Sequence, residues 1–201
     1  MQIGILLFDR VEELDFAGPY EILAAAEDRR PEEIQVRTYA FDQLGVTCNK
    51  RLQVSAHALC QDAPQLDVLL VPGGNGSRAV ADNPDMVQWV KDQAAGAQWV
   101  TSVCTGARIL EAAGLVDGKR ITTFHDAIPE LRATGRAAEV LDNVRFVQDG
   151  SLVTSAGVSA GIDMTLWLLG QLTSPAFARE VQAYVEYYPA PPYTAETTEA
   201  A

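Results

Sequence analysis

The chain has 201 residues, the size of one compact domain at roughly 150 residues each, and its 48% hydrophobic and 21% charged residues allow a real core. Fifteen Lys and Arg face 27 Asp and Glu, a formal charge of −12, and no basic run exceeds Lys50-Arg51 or Lys119-Arg120. Nucleic acid is therefore not an expected partner, because phosphate contacts need a basic face.

The first apolar run, Gln2 to Phe8, has no basic stretch ahead of it, unlike a secretory leader. No uncharged apolar stretch reaches the roughly 18 residues of a membrane span. The expectation is a cytoplasmic protein with no membrane partner. Further strand candidates are Ile34 to Phe41, Asp67 to Val71, Gln98 to Val103 and Leu152 to Ala156. Helical patterns fall between them: Pro19 to Ala26 with the proline in its first turn, a helix opened by Asn83-Pro84 and running to about Ala94, and Thr105 to Ala113 stopped by Gly114. Such alternation predicts a mostly parallel sheet wrapped by helices. Asp149-Gly150, between Val144–Val147 and Leu152–Thr154, predicts a β-hairpin, and a second turn is expected at Asn49-Lys50. Tyr188 to Tyr193 reads as extended and residues 194–201 as a disordered tail, leaving residues 1–193 as one domain.

In an open α/β sheet, ligands bind beyond the carboxyl ends of the strands. The residues placed there are Asp15, Gly73-Gly74-Asn75-Gly76, Cys104-Thr105-Gly106, Thr123-Phe124-His125 and Gly157-Val158-Ser159. Gly74 to Ala79 fits a dinucleotide fingerprint, but on a late strand of a chain too short for a substrate domain. Gly157-Val158-Ser159-Ala160-Gly161 fits a serine nucleophile elbow, but that order needs a histidine after the serine, and His57 and His125 both precede it. Cys48, Cys60 and Cys104 lack the C-x-x-C spacing of a zinc site, and three sparse cysteines make no disulfide framework. Cys48 and Cys60 read as small buried hydrophobes. Cys104 differs because it sits at a strand-to-helix turn, where free amides and the positive helix end are expected to lower its pKa and make it a nucleophile. Asp15 is a carboxylate at this edge, and its position ahead of Pro19 also suits a helix cap. His125 reads either as half of a Cys–His pair or as a cap of a helix over Asp126 to Thr134.

Six motifs occur together: Leu14-Asp15-Phe16-Ala17-Gly18-Pro19, Val71-Pro72-Gly73-Gly74, Thr101-Ser102-Val103-Cys104-Thr105-Gly106-Ala107, Ala113 to Lys119, Ile121-Thr122-Thr123 and Ala160-Gly161-Ile162-Asp163. In this order they resemble the ThiJ/PfpI superfamily, the class I glutamine-amidotransferase-like proteins, from Met1 to about Tyr193. The first motif, the cysteine elbow and the ending Glu186 to Tyr193 are most similar to the isocyanide hydratases. The resemblance implies a flavodoxin-like three-layer sandwich and, as function, the addition of water to a small-molecule isocyanide to give an N-substituted formamide. Residue by residue it implies Cys104 as nucleophile, Asp15 as proton carrier, Thr105 as elbow neighbour, Gly74 and Thr105 as backbone donors, and Gly157 with Val158 as the segment holding the acidic residue. No cofactor is implied, and a homodimer is. Where relatives often read Thr-Thr-His-Trp, this chain reads Thr122-Thr123-Phe124-His125-Asp126, a departure that bears on the substrate. Glyoxalase, deglycase or amidase chemistry, or a ligand- or oxidant-sensing module like the N-terminal domains of AraC-type regulators, are the other readings this resemblance carries.

Overall fold

In the computed structural model, which describes residues 1–190, the first apolar run forms β1 (Gln2–Leu7), followed by α1 (Glu13–Arg29) and β2 (Gln35–Ala40). A short antiparallel pair, β3 (Gly45–Thr47) and β4 (Gln53–Ser55), turns through Asn49-Lys50 as expected. β5 (Ala58–Leu59) and β6 (Val68–Val71) come next, then α2 (Ser77–Ala81) and α3 (Pro84–Gly96). The elbow lies between β7 (Trp99–Val103) and α4 (Gly106–Ala112). β8 (Arg120–Ile121), α5 (Ile128–Thr134) and β9 (Glu139–Val140) form an outlying segment, and the chain returns through β10 (Phe146–Asp149), β11 (Leu152–Ser155), α6 (Ala160–Leu172) and α7 (Pro175–Tyr184).

Seven strands make the central sheet in the order β10-β11-β7-β6-β1-β2-β5. All neighbours are parallel except β10 and β11, the hairpin turned at Asp149-Gly150. β6 is buried along its whole length, which explains its unbroken apolar run: a strand covered on both faces has no reason to alternate. Helices α1, α6 and α7 pack together on one face, and α2, α3 and α4 on the other. The protein is thus a three-layer α/β sandwich with a flavodoxin-like, mostly parallel sheet. Its buried apolar side chains form one continuous cluster spanning both layers. None of the described helices is long and apolar enough to cross a membrane.

Local signals account for several boundaries. Asn83 caps α3, its Oδ1 accepting the N–H groups of Asp85 and Met86 at 3.0 and 3.1 Å, with Pro84 at the first helical position. Ser174-Pro175 opens α7 in the same way, Ser174 Oγ accepting the Phe177 N–H at 3.2 Å.

The start of α1 departs from the sequence reading. The helix begins at Glu13, so Pro19 lies inside it and not in the first turn. An interior proline costs about 3 kcal/mol through its missing N–H and ring clash. Tertiary packing supports it here: a Cβ on Gly161 of α6 would lie 3.3 Å from the Pro19 ring and 2.9 Å from the Val103 side chain, so the absence of a side chain at Gly161 lets α1 and α6 close over the sheet. Asp15 consequently sits on the first turn of a longer helix, not ahead of a shorter one. The expected helix near Asp126 begins as a 3-10 turn, His125–Ala127, before α5. The disordered tail expected at residues 194–201 lies outside the described residues, as does most of the extended segment ending at Tyr193.

Candidate active site

Strand register determines what meets at the carboxyl edge of the sheet. Val71 pairs with Ser102, and Val103 with Ser155, so the segments after β6, β7 and β11 leave side by side. Cys104 follows β7 in the left-handed region with φ 55°, a conformation costing a non-glycine residue of order 1 kcal/mol or more. It is fixed from several directions. Its N–H is shared between the carbonyls of Ser155 and Ala156 at 3.2 and 3.1 Å, and its carbonyl accepts the Thr123 hydroxyl at 2.8 Å. Gly73 permits the tight stacking of the next loop on the elbow, since a Cβ there would stand 2.4 Å from the Thr105 nitrogen.

Asp15 is fully buried. Its Oδ2 accepts the Gly73 N–H at 2.9 Å, and its Oδ1 has no hydrogen-bond partner. Burial is the main reason its pKa is raised from 3.8 to about 7, against the pull of the Gly73 amide and the Cys104 thiol. Burial, and after it the negative charge of Asp15, pushes the Cys104 thiol up to about 12, while the N–H groups of Thr105 and Val158 favour the thiolate. The expected lowering of the Cys104 pKa by the helix end is thus reversed. The amides are present, but desolvation and a neighbouring carboxylate outweigh them. The two groups are coupled: the charge of Asp15 raises the thiol, and the thiol favours the ionised carboxyl.

The backbone donors are distributed differently from the sequence expectation. The Gly74 N–H donates to Thr105 Oγ1 at 2.9 Å, and that hydroxyl donates to the Gly74 carbonyl at 3.2 Å. Gly74 lines the cavity, but its N–H is committed to the threonine. Val158, itself at φ 49°, directs its N–H to the Cys104 sulfur, whereas the carboxyl of Asp15 rests on Gly73 and not on the 157–158 segment. The ring of Phe124 fills the space a side chain at Gly157 would take, 2.6 Å from its Cβ position.

A cavity of about 460 Å³ opens over Cys104, Thr105 and Val158. Phe124 and Ala127 give it an apolar wall; Glu12, Asn49, Lys50, Arg78, Arg108 and Glu130 give it a polar one. His125 does not line this cavity. Its side chain is 76% exposed, with Nδ1 2.9 Å from Asp126 Oδ1. Among the described residues no His, Cys, Asp and Glu side chains cluster in a way that could hold a metal ion. Sequence reasoning missed the polar wall because its members come from five separate segments. Gly73 was visible in the Pro72-Gly73-Gly74 motif, where only the neighbouring glycine received a role.

A thiol on a strained elbow, a buried carboxyl beside it and a closed amide cradle define a cysteine-centred site on a flavodoxin-like sheet. The sequence matches the DJ-1/PfpI family over residues 1–171, and the chain belongs to that family. Over 96% of its length it is 42% identical to isonitrile hydratase of Pseudomonas putida, covering 81% of that protein. A crystal structure of a ThiJ/PfpI family protein from Pseudomonas syringae shares the fold with a TM-score of 0.88 and 30% identity, over 96% of this chain and 78% of that one. The HTH-type transcriptional regulator GbdR of Pseudomonas aeruginosa is 29% identical over 84% of this chain, which spans only 46% of the regulator.

Proposed function

We propose that the protein is an isocyanide (isonitrile) hydratase in which Cys104 forms a thioimidate and Asp15 moves the protons. The observation that carries this reading is the Asp15 carboxyl, buried, with one oxygen unpartnered and a pKa near 7, beside a thiol that needs a base. A general acid–base works best when its pKa lies near the operating pH.

In the first step ionised Asp15 takes the thiol proton, the sulfur adds to the terminal isocyanide carbon, and the proton passes from Asp15 to that carbon, giving R–N=CH–S–Cys104. Water then adds to this carbon. Asp15 takes a proton from the water and gives one to the nitrogen. Collapse of R–NH–CH(OH)–S–Cys104 breaks the C–S bond, forms the formamide carbonyl and returns the hydroxyl proton, through Asp15, to the sulfur. The Thr105 and Val158 N–H groups stabilise the sulfur each time it carries negative charge. No metal or organic cofactor enters these steps.

The identity to isonitrile hydratase supports this reading over a glyoxalase, deglycase or amidase, and so does the placement of His125, which a Cys–His mechanism would need at the sulfur. Homodimer formation belongs to the same reading; a monomer by light scattering at working concentration would count against it. Purified protein should turn over para-nitrophenyl isocyanide to the formamide and leave methylglyoxal untouched. Turnover of methylglyoxal alone would replace the hydratase reading with a glyoxalase one, and turnover of neither would favour a sensing module.

A further inference from the structure

Two guanidinium groups on the cavity wall share one carboxylate. Arg78 meets Glu130 end-on, NH1 to Oε1 at 3.0 Å and NH2 to Oε2 at 2.7 Å. Arg108 meets the same carboxylate through Nε at 3.3 Å and NH2 at 2.7 Å, and its NH1 donates to Ser77 Oγ at 3.0 Å. Glu130 stays ionised, its pKa lowered chiefly by the Arg108 hydrogen bond. The triad therefore carries a net charge of +1 on a chain whose total is −12.

The two arginines are not equivalent. Arg108 is buried at 13% side-chain exposure and commits Nε, NH1 and NH2 to Glu130 and Ser77, whereas Arg78 is 65% exposed and its Nε makes no hydrogen bond within the triad. Of the other charges on the lining, Lys50 and Glu12 form an ion pair, and Asp126 is a further carboxylate, 76% exposed and bonded to His125. The same cavity is lined by Phe124 and Ala127, apolar surface suited to a flat or aliphatic spine.

We infer that the cavity selects isocyanides carrying a carboxylate away from the isocyano group, with Arg78 as the residue that reads the charge. This inference rests on the hydratase reading for its reaction, but the charge preference is measurable without turnover. A carboxylate reaching Arg78 gains a charge-assisted hydrogen bond, discounted here because the guanidinium is largely exposed.

The test compares 4-isocyanobenzoate with phenyl isocyanide as substrates, and maleimidopropionate with N-ethylmaleimide as labels of Cys104 followed by mass spectrometry. Arg78→Gln, which makes the cluster neutral, should lower the charged-to-neutral ratio of kcat/KM about fivefold and lower the labelling ratio in the same direction. Glu130→Gln, which makes it doubly positive, should raise both ratios. Equal ratios in wild type and both variants would overturn the inference while leaving the hydratase reading intact, provided phenyl isocyanide is hydrated. If wild type hydrates neither isocyanide, the hydratase reading fails and takes the substrate class with it, while the labelling ratio alone decides whether the cavity prefers anions. A labelling ratio that rises in Arg78→Gln would assign the anion preference to some other group and refute the role of Arg78.

Discussion

Cys60 and Cys104 are both buried, and burial is the main cause that pushes each thiol up to about 12. By that measure alone they are the same residue. They differ in their neighbours. The Cys60 thiol is raised further by Asp42, and no group favours its thiolate; its carbonyl accepts the Trp89 indole N–H at 2.9 Å and the Ala63 N–H at 3.2 Å. Cys104 has two amides aimed at its sulfur and a carboxyl beside it whose pKa is raised to about 7. On the proposed reading, Cys104 is set apart from Cys60 by a carboxyl within reach and amides that favour its anion, not by a lower resting pKa.

The sharpest way to break that contrast is to remove each thiol. Cys104→Ala should reduce isocyanide turnover to background with the fold retained, whereas Cys60→Ala should leave turnover within a few-fold and cost about 1 kcal/mol in urea unfolding through lost packing. Comparable activity losses in both variants would end the distinction.

Asp15→Asn tests the base. It keeps the shape, and the acceptor for Gly73, but cannot carry a proton. Turnover should fall about a hundred- to ten-thousand-fold. Alkylation of Cys104 at pH 8 should become faster, because the negative charge that raises its pKa is gone. Slower turnover with faster alkylation separates loss of the base from damage to the thiol; parallel losses would point to a collapsed site. In the wild type, kcat/KM should decline as pH drops below about 7, where Asp15 becomes protonated and can no longer accept the thiol proton.

The same carboxyl should leave a mark on stability. The folded pKa of Asp15 is raised above its unfolded value, so the folded state binds the extra proton. Its stabilising contribution is complete below 3.8 and lost as pH rises through about 7. At roughly 1.4 kcal/mol per pH unit this amounts to about 4 kcal/mol. Urea unfolding at pH 4 and pH 8 should show Asp15→Asn gaining on wild type by that order at the higher pH. A pH-independent difference would mean that Asp15 is not strained by ionisation.

The smallest effect is expected at the exposed histidine. His125→Asn should change turnover less than about tenfold, which is roughly 1.4 kcal/mol. A loss as large as that of Asp15→Asn would require His125 to swing toward Cys104 and would revive the Cys–His reading.

The layered sheet and the elbow were legible because each rests on neighbours in sequence. Runs such as Val68–Val71 and the Asp149-Gly150 turn carry their own signal, and small residues around Cys104 mark a tight turn. What the sequence obscured depends on distant partners. Pro19 reads as a helix start until Gly161 supplies the close contact that keeps it in mid-helix. The amide behind Asp15 is 58 residues away, at Gly73. A helix end next to Cys104 suggested an acidic thiol, but the desolvation that reverses the sign comes from packing that no local pattern encodes. Arg78 and Glu130, 52 residues apart, meet only once α2 and α5 are in place.

That reliance on long-range pairing also orders events in time. Asp15 joins Gly73 across 58 residues, and Gly74 joins Thr105 across 31, while the strands beneath them pair in parallel, the arrangement in which loop closure must precede reward. During synthesis or refolding the Cys104 side chain is an ordinary thiol until these closures are complete. Recovery of turnover should therefore lag behind recovery of helical signal, which makes Cys104 a built-in clock for the last stage of folding.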